Sequence, residues 1–302
     1  NLEIRLLYLS LVNNDIRSEI SKYNLPINKL TIKSGARIID NKIVVKDKKN
    51  KEINKTYKYL SSRAFDYFPY LIDDSDKYEI YPYIDDIYEP REQKAMDLTH
   101  LLSLLHSKTT FYREVDIDKN KEIYEEIVNE VDYLNDYYNS LISSIEKEVY
   151  MSPSSYLIAR NTNIIFSSIY YAKDNIEKWY KMIEDNKNER VSYIHNNINL
   201  EHYVKNDKPY LISWNNSRID NPIYDLLSFY KNHYLEFDFS DLFHYYESGY
   251  PLKDEERLLL FIYMAIPSKI EVDSSEYEMC IKINKMIEYL YKTSNLIMNY
   301  QK

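Results

Sequence analysis

At 302 residues, with 44% hydrophobic and 29% charged side chains, the chain can bury a large core and is too apolar to be a disordered polymer. A net charge of −9, with lysines scattered throughout, leaves no basic face of the kind a nucleic-acid binder needs. The single cysteine, Cys280, excludes an internal disulfide and a cysteine-built zinc site, which suits a reducing compartment.

In chain order, the opening NLEIRLLYLSLVNNDIRSEI lacks a basic segment followed by an apolar core and small-residue cleavage site, so no secretory leader is expected there. Leu9, Val12, Ile16 and Ile20 recur at helical spacing, predicting a helix over Leu6–Tyr23 that Pro26 ends. The β-branched stretch that follows, with SG and DN as turn signals, predicts strands near Asn28–Lys33, Ala36–Ile39 and Lys42–Asp47. Ile53, Tyr57 and Leu60 share a helical face, and two further strands are expected near Tyr70–Asp73 and Lys77–Tyr81. Asp73, Asp74 and Asp76 then form a hairpin tip, because the glycine and terminal Glu of a calcium loop are missing.

From Arg91 onward helices dominate. They are expected over 91–109, over 120–150, over 152–186 in two pieces with Ser152 and Pro153 as start signals, and over 224–234, 239–248, 254–264 and 274–299. Strands in this half are expected only around Val204 and around Tyr210–Trp214. The fold class is therefore α+β and bilobal. A small antiparallel lobe over 1–84 precedes a large helical lobe over 85–302, with a hinge near Pro82–Asp86. The longest apolar run, Leu258–Ile266, falls far short of the roughly 20 residues of a membrane helix, so the expectation is a soluble cytoplasmic protein.

Two counts stand out, 34 tyrosines and 2 glycines. The tyrosines accompany abundant Ile, Asn and Lys and read as compositional drift. The glycines bear on function, because a loop that cradles phosphate normally uses several so that backbone can approach the ligand. Six histidines show no paired metal-ligand spacing, and His100 and His106 lie on separate faces of one helix as packing residues.

Seven segments carry a family likeness: IVVK, YLSSRAFDYFP, YEIYPYIDD, LLSLLHSKTTF, IHNNINLEHY, SRIDNPIYDLLSFY and YPLKDEERLLLFIYMAIPSK, spanning Ile43 to Lys269 in order. In this order the chain resembles the aminoglycoside phosphotransferase and choline kinase family, which has a protein-kinase-like fold, and within it the spore-coat kinase-like branch. The family's catalytic loop is His-Gly-Asp with a metal-binding Asn five residues after the Asp. Here the corresponding residues are His195, Asn196, Asn197 and His202. The family's magnesium motif, Ile-Asp-Trp-Asp, is matched by Ile212, Ser213, Trp214 and Asn215.

The resemblance implies several roles. Asn197 stands where an Asp would take the proton of the attacking hydroxyl, and an amide cannot do that work. Ser213 and Asn215 stand where carboxylates would hold Mg²⁺, an ion that dehydrates reluctantly and relies on carboxylates and phosphates together. Arg218, Pro222 and Asp225 keep the family's spacing, Asp225 as an architectural tie to the catalytic loop, and His195 is a packing residue. Lys46 matches the lysine that reaches the α- and β-phosphates, with Glu52 as its ion-pair partner. Gly35 lies in the phosphate-covering turn, and Tyr81 and Tyr83 lie where the hinge backbone meets adenine.

The expected function is a pseudokinase acting in binding or assembly, in spore-coat biology as the resemblance implies. Its catalytic positions are degenerate. Protein partners are unnamed, and nucleic acid and membrane are excluded. One alternative is an active ATP-dependent phosphotransferase in which Glu201 and Asp220 supply the missing charge. The other is a nucleotide sensor that binds ATP without metal.

Overall fold

The computed structural model describes residues 29–33, 35–48, 52–75, 77–271 and 275–300; the helix expected over Leu6–Tyr23 lies outside them. The chain divides into two compact units. The smaller comprises residues 1–59, 66–88 and 204–215, and the larger comprises 60–65, 89–203 and 216–302.

The smaller unit is built on an antiparallel sheet of order β1-β2-β3-β5-β4, from Leu30–Lys33, Ala36–Ile39, Ile43–Asp47, Tyr78–Pro82 and Asp73–Asp74 in the order β1, β2, β3, β5 and β4. Two-residue alternation puts Ile39, Ile43, Val45 and Ile80 in one core, against which Leu30 packs. Asp40 and Asn41 both adopt positive φ, 50° and 51°, in the β2–β3 turn. Asp and Asn tolerate that conformation best among residues with a side chain. Helix α1, Ile53–Ser62, buries Ile53 and Tyr57. The Tyr57 ring stacks on Phe68 at 4.3 Å, and Phe68 meets Trp214 edge-on at 6.4 Å. The short hairpin of β8, Tyr203–Lys205, and β9, Pro209–Leu211, is tied to this unit where the Leu211 N–H donates to the Tyr67 carbonyl at 2.7 Å.

In the larger unit α2, Arg91–Thr109, α3, Ile117–Ile145, α4, Pro153–Arg160, and α5, Thr162–Ile183, precede a three-stranded sheet. Helices α6, Ile223–His233, α7, Phe239–Gly249, α8, Asp254–Ala265, and α9, Glu276–Tyr300, follow. Side-chain caps start several helices as the sequence pattern indicates: Asp116 accepts from the Lys119 N–H, and Ser152 from the Ser155 N–H with Pro153 next in line. The sheet, of order β10-β7-β6, was not expected: it joins Arg218–Asp220, Asn188–Ile194 and Phe111–Glu114 as antiparallel neighbours. Its strands are short, and part of their register comes from the cross-strand pair Arg113–Glu189 at 2.5 Å.

Helices α2 and α7 pack closely where Gly249 meets Ser103. A Cβ at position 249 would lie 2.8 Å from Ser103 Oγ and 3.3 Å from its Cβ. Ser103 Oγ also donates to the His100 carbonyl, so turning it away breaks a bond. Gly249→Ala should therefore destabilise the protein by about 1–2 kcal/mol through overpacking. Urea unfolding should show that Ser103→Ala recovers most of that loss in the double variant.

Candidate functional site

In the smaller unit Lys46 extends from β3, on the strand face opposite Ile43 and Val45. The β3–β5 register sets Glu79 directly across from Lys46 and Tyr81 across from Val44. Lys46 Nζ donates to Ser213 Oγ at 3.2 Å and lies 5.7 Å from the centroid of the Tyr81 ring. The structure thus brings together the phosphate-lysine position and the first magnesium position of the family pattern, 167 residues apart in sequence. Ser213 has φ 73°, a left-handed backbone that is uncommon for a residue with a Cβ and is met mostly where surrounding structure enforces it. Next to it Trp214 is buried and donates from Nε1 to the Leu211 carbonyl at 2.6 Å, and Asn215 follows in the same single turn, Trp214–Asn216.

Glu52 pairs with Lys55. It sits at the exposed start of α1, and its carboxylate takes Lys55 Nζ at 2.5 Å, the ordinary pairing of two solvent-facing residues on one helical turn. The buried acid of this unit is Glu79, fully enclosed and accepting the Tyr81 hydroxyl at 2.9 Å. Tyr57 donates in turn to the Tyr81 oxygen at 3.4 Å. Burial, reinforced by the neighbouring Glu79 charge, raises both tyrosine pKa values, so each hydroxyl keeps its proton to donate. A lone acid in the otherwise apolar strand YEIYP was the sequence signal for Glu79.

Tyr81 lies in the ladder of β5, one residue before its end, and presents its ring to Lys46 Nζ. Tyr83 donates its N–H to the Lys42 carbonyl at 2.8 Å and, with Phe68 and Tyr210, borders a concavity of about 380 Å³. Gly35 occupies the β1–β2 turn at φ 77° with open space around it, so backbone conformation and not crowding demands a glycine there.

In the larger unit the catalytic-loop segment leaves β7 at His195. The Asp225 carboxylate, fully buried in the first turn of α6, accepts the His195 N–H at 2.8 Å through Oδ2 and the Asn196 N–H at 2.6 Å through Oδ1. His106 Nε2 lies 3.1 Å from Oδ2, and Tyr246 Oη lies 2.6 Å from His106 Nδ1. A carboxylate only accepts, so His106 carries a proton on Nε2 directed at Asp225. His106 is fully buried beneath the loop, a supporting role that its place on a leucine-rich helix did not reveal.

Asn196 stands at the family's glycine and has φ 57°; its side chain donates to the Asn216 carbonyl at 3.2 Å. His202 Nδ1 lies 2.7 Å from the Asn197 carbonyl, which can only accept, so that nitrogen bears the proton; the ring lies 5.8 Å from that of His195.

Asp220 and Glu201 are both engaged. Lys119 Nζ and Arg218 Nε each lie 2.9 Å from Asp220, whose Oδ1 also accepts the Asn221 N–H. Burial pushes the Asp220 carboxyl up, but the Lys119, Asn221 and Arg218 hydrogen bonds outweigh it and hold the pKa below the ordinary range. Glu201 is exposed and lies 3.9 Å from Arg91. Arg218 also lies 5.8 Å from the Tyr224 ring, and Pro222 precedes α6 with φ −59°.

The buried Asp225 carboxylate holds two backbone N–H groups, one on each oxygen. Asp225→Asn should cost about 3 kcal/mol or more in urea unfolding, against about 1 kcal/mol for Tyr246→Phe, which removes one neutral bond. Equal effects would contradict the central place given to the carboxylate.

No family model and no curated protein matches this sequence. Solved structures match its fold. An aminoglycoside phosphotransferase from Alicyclobacillus acidocaldarius superposes with a TM-score of 0.68 at 9% identity, over 93% of this chain and 95% of the other. A spectinomycin phosphotransferase in complex with ADP and spectinomycin gives 0.55 at 14% identity, over 93% and 98%. A glucosamine kinase in complex with glucosamine, ADP and inorganic phosphate gives 0.51 at 8%, over 91% and 76%. The chain therefore has the bilobal, kinase-like fold of the aminoglycoside phosphotransferases.

Proposed function

We propose that this protein is a pseudokinase: a phosphotransferase-fold module used for binding or assembly, in a spore-coat setting as its sequence likeness suggests. The observation that carries this reading is the Lys46–Ser213 hydrogen bond, a hydroxyl occupying the place of a magnesium-holding carboxylate. Asn197 and Asn215 extend the same loss of charge to the proton-accepting position and to the second acidic position. Amides and a hydroxyl neither accept a proton from an attacking alcohol nor repay Mg²⁺ for the water it sheds. Relocated acids do not make up the deficit, because Asp220 is neutralised by Lys119 and Arg218, and Glu201 lies at the surface beside Arg91.

Lys46 favours a second reading, a nucleotide sensor that works without metal. Its ammonium is held over an aromatic ring, and a lysine is a competent point-charge partner for phosphate. The spectinomycin phosphotransferase and glucosamine kinase structures contain ADP, which supports nucleotide as the ligand to try first.

Thermal shift with ATP, with and without magnesium, separates these readings. A ligand at 100 times its Kd stabilises by about 2.7 kcal/mol, which is readily seen. A purely structural module gives no shift. The sensor gives a magnesium-independent shift that Lys46→Ala abolishes. Magnesium-dependent ATP turnover lost on Lys46→Ala would overturn both and restore the enzyme. Ser213→Asp should make any ATP shift respond to magnesium by restoring one carboxylate.

A further inference from the structure

The larger unit contains a concavity of about 740 Å³ that uses no residue of the catalytic-loop segment or of Arg218–Asp225. Four lysines line it, Lys231 from α6, Lys269 from the segment between α8 and α9, and Lys282 and Lys285 from α9, against two acids, Glu130 and Glu271. Four positive charges less two negative ones leave the described lining at +2, in a chain whose net charge is −9. Concave walls of low dielectric concentrate such a field.

We infer that this concavity binds a small, multiply charged anion of the polyphosphate or polycarboxylate class. The lysines come from three separate elements around one concavity, whereas a basic strip along a single helix would suit a polymer. The volume falls within the range of small-molecule sites, on the order of 300–1,000 Å³. The walls are partly preorganised: Lys269 Nζ lies 5.2 Å from the Tyr137 ring and 5.5 Å from the Tyr133 ring, and Tyr234 donates its hydroxyl to the Lys285 carbonyl at 3.2 Å. Lys231 is exposed, so a ligand can reach it. A cation site is disfavoured, because the ammonium groups outnumber the carboxylates.

The test is isothermal titration with inorganic tripolyphosphate at constant ionic strength. Four proteins are compared: wild type, Lys231→Gln/Lys285→Gln, the control Lys147→Gln/Lys178→Gln, and Lys46→Ala, each checked for folding by circular dichroism. The expected result is saturable binding by wild type, weakened at least about tenfold in the Lys231/Lys285 variant. The control should change by less than about twofold, and Lys46→Ala should leave the Lys231/Lys285-dependent component in place. Lys285→Glu, a single change on an exposed helix face, serves if the double variant is poorly folded and should also lower affinity. Absence of binding, equal weakening in site variant and control, or loss on Lys46→Ala alone would overturn the assignment. So would Lys231-dependent binding of an acidic peptide that tripolyphosphate does not displace. Since Lys46 is the phosphate-facing residue of the sensor reading, failure of that reading and failure of this one show up in different variants.

Discussion

One buried carboxylate organises the larger unit. Asp225 sits in the first turn of α6, where the helix dipole favours a negative charge, and uses both oxygens on the N–H groups of His195 and Asn196. His106 and Tyr246 extend the network through α2 and α7, so three helices and the end of β7 share a single charge. A carboxylate buried this deeply is costly unless every lone pair is engaged, and the same cost makes the arrangement specific. The network sets the shape of the loop without using the side chain of residue 197.

The charges that remain are spent on structure. Asp220 clamps Lys119 and Arg218, which fixes β10 against the start of α3. Arg190 and Glu256 form another enclosed pair, with the guanidinium 4.4 Å from the Tyr250 ring. In the smaller unit Lys46 turns to a hydroxyl and an aromatic face, and Glu79 to a tyrosine. An Asp at position 213 would have placed a full negative charge beside Lys46; the serine keeps a directional contact.

Long helices were legible because apolar spacing and caps agree, as at Asp116, Ser152 and Pro153. So were β1, β2, β3 and β5 with their DN turn. The three strands of the second sheet were not, since Arg218–Asp220 spans one alternation and Phe111–Glu114 merges with the end of α2; their identity comes from partners about 25 to 80 residues away. The family pattern singled out His195, Ser213 and Asp225 by their spacing in the sequence. It could not locate His106 or Glu79, whose importance lies in what folds onto them.

The two glycines of the chain clarify how the loop geometry was kept. Among the described residues, positive φ occurs at Gly35 and at Asp40, Asn41, Ala64, Asn196 and Ser213. Three of the five residues other than glycine are Asp or Asn, whose short polar side chains bond locally and reduce the penalty of the left-handed region, roughly 1–2 kcal/mol for other L-residues. Asn196 illustrates the exchange: it takes the family's glycine conformation and returns a hydrogen bond to the Asn216 carbonyl that glycine could not make. That local bond holds the left-handed turn at the end of β7 without a glycine.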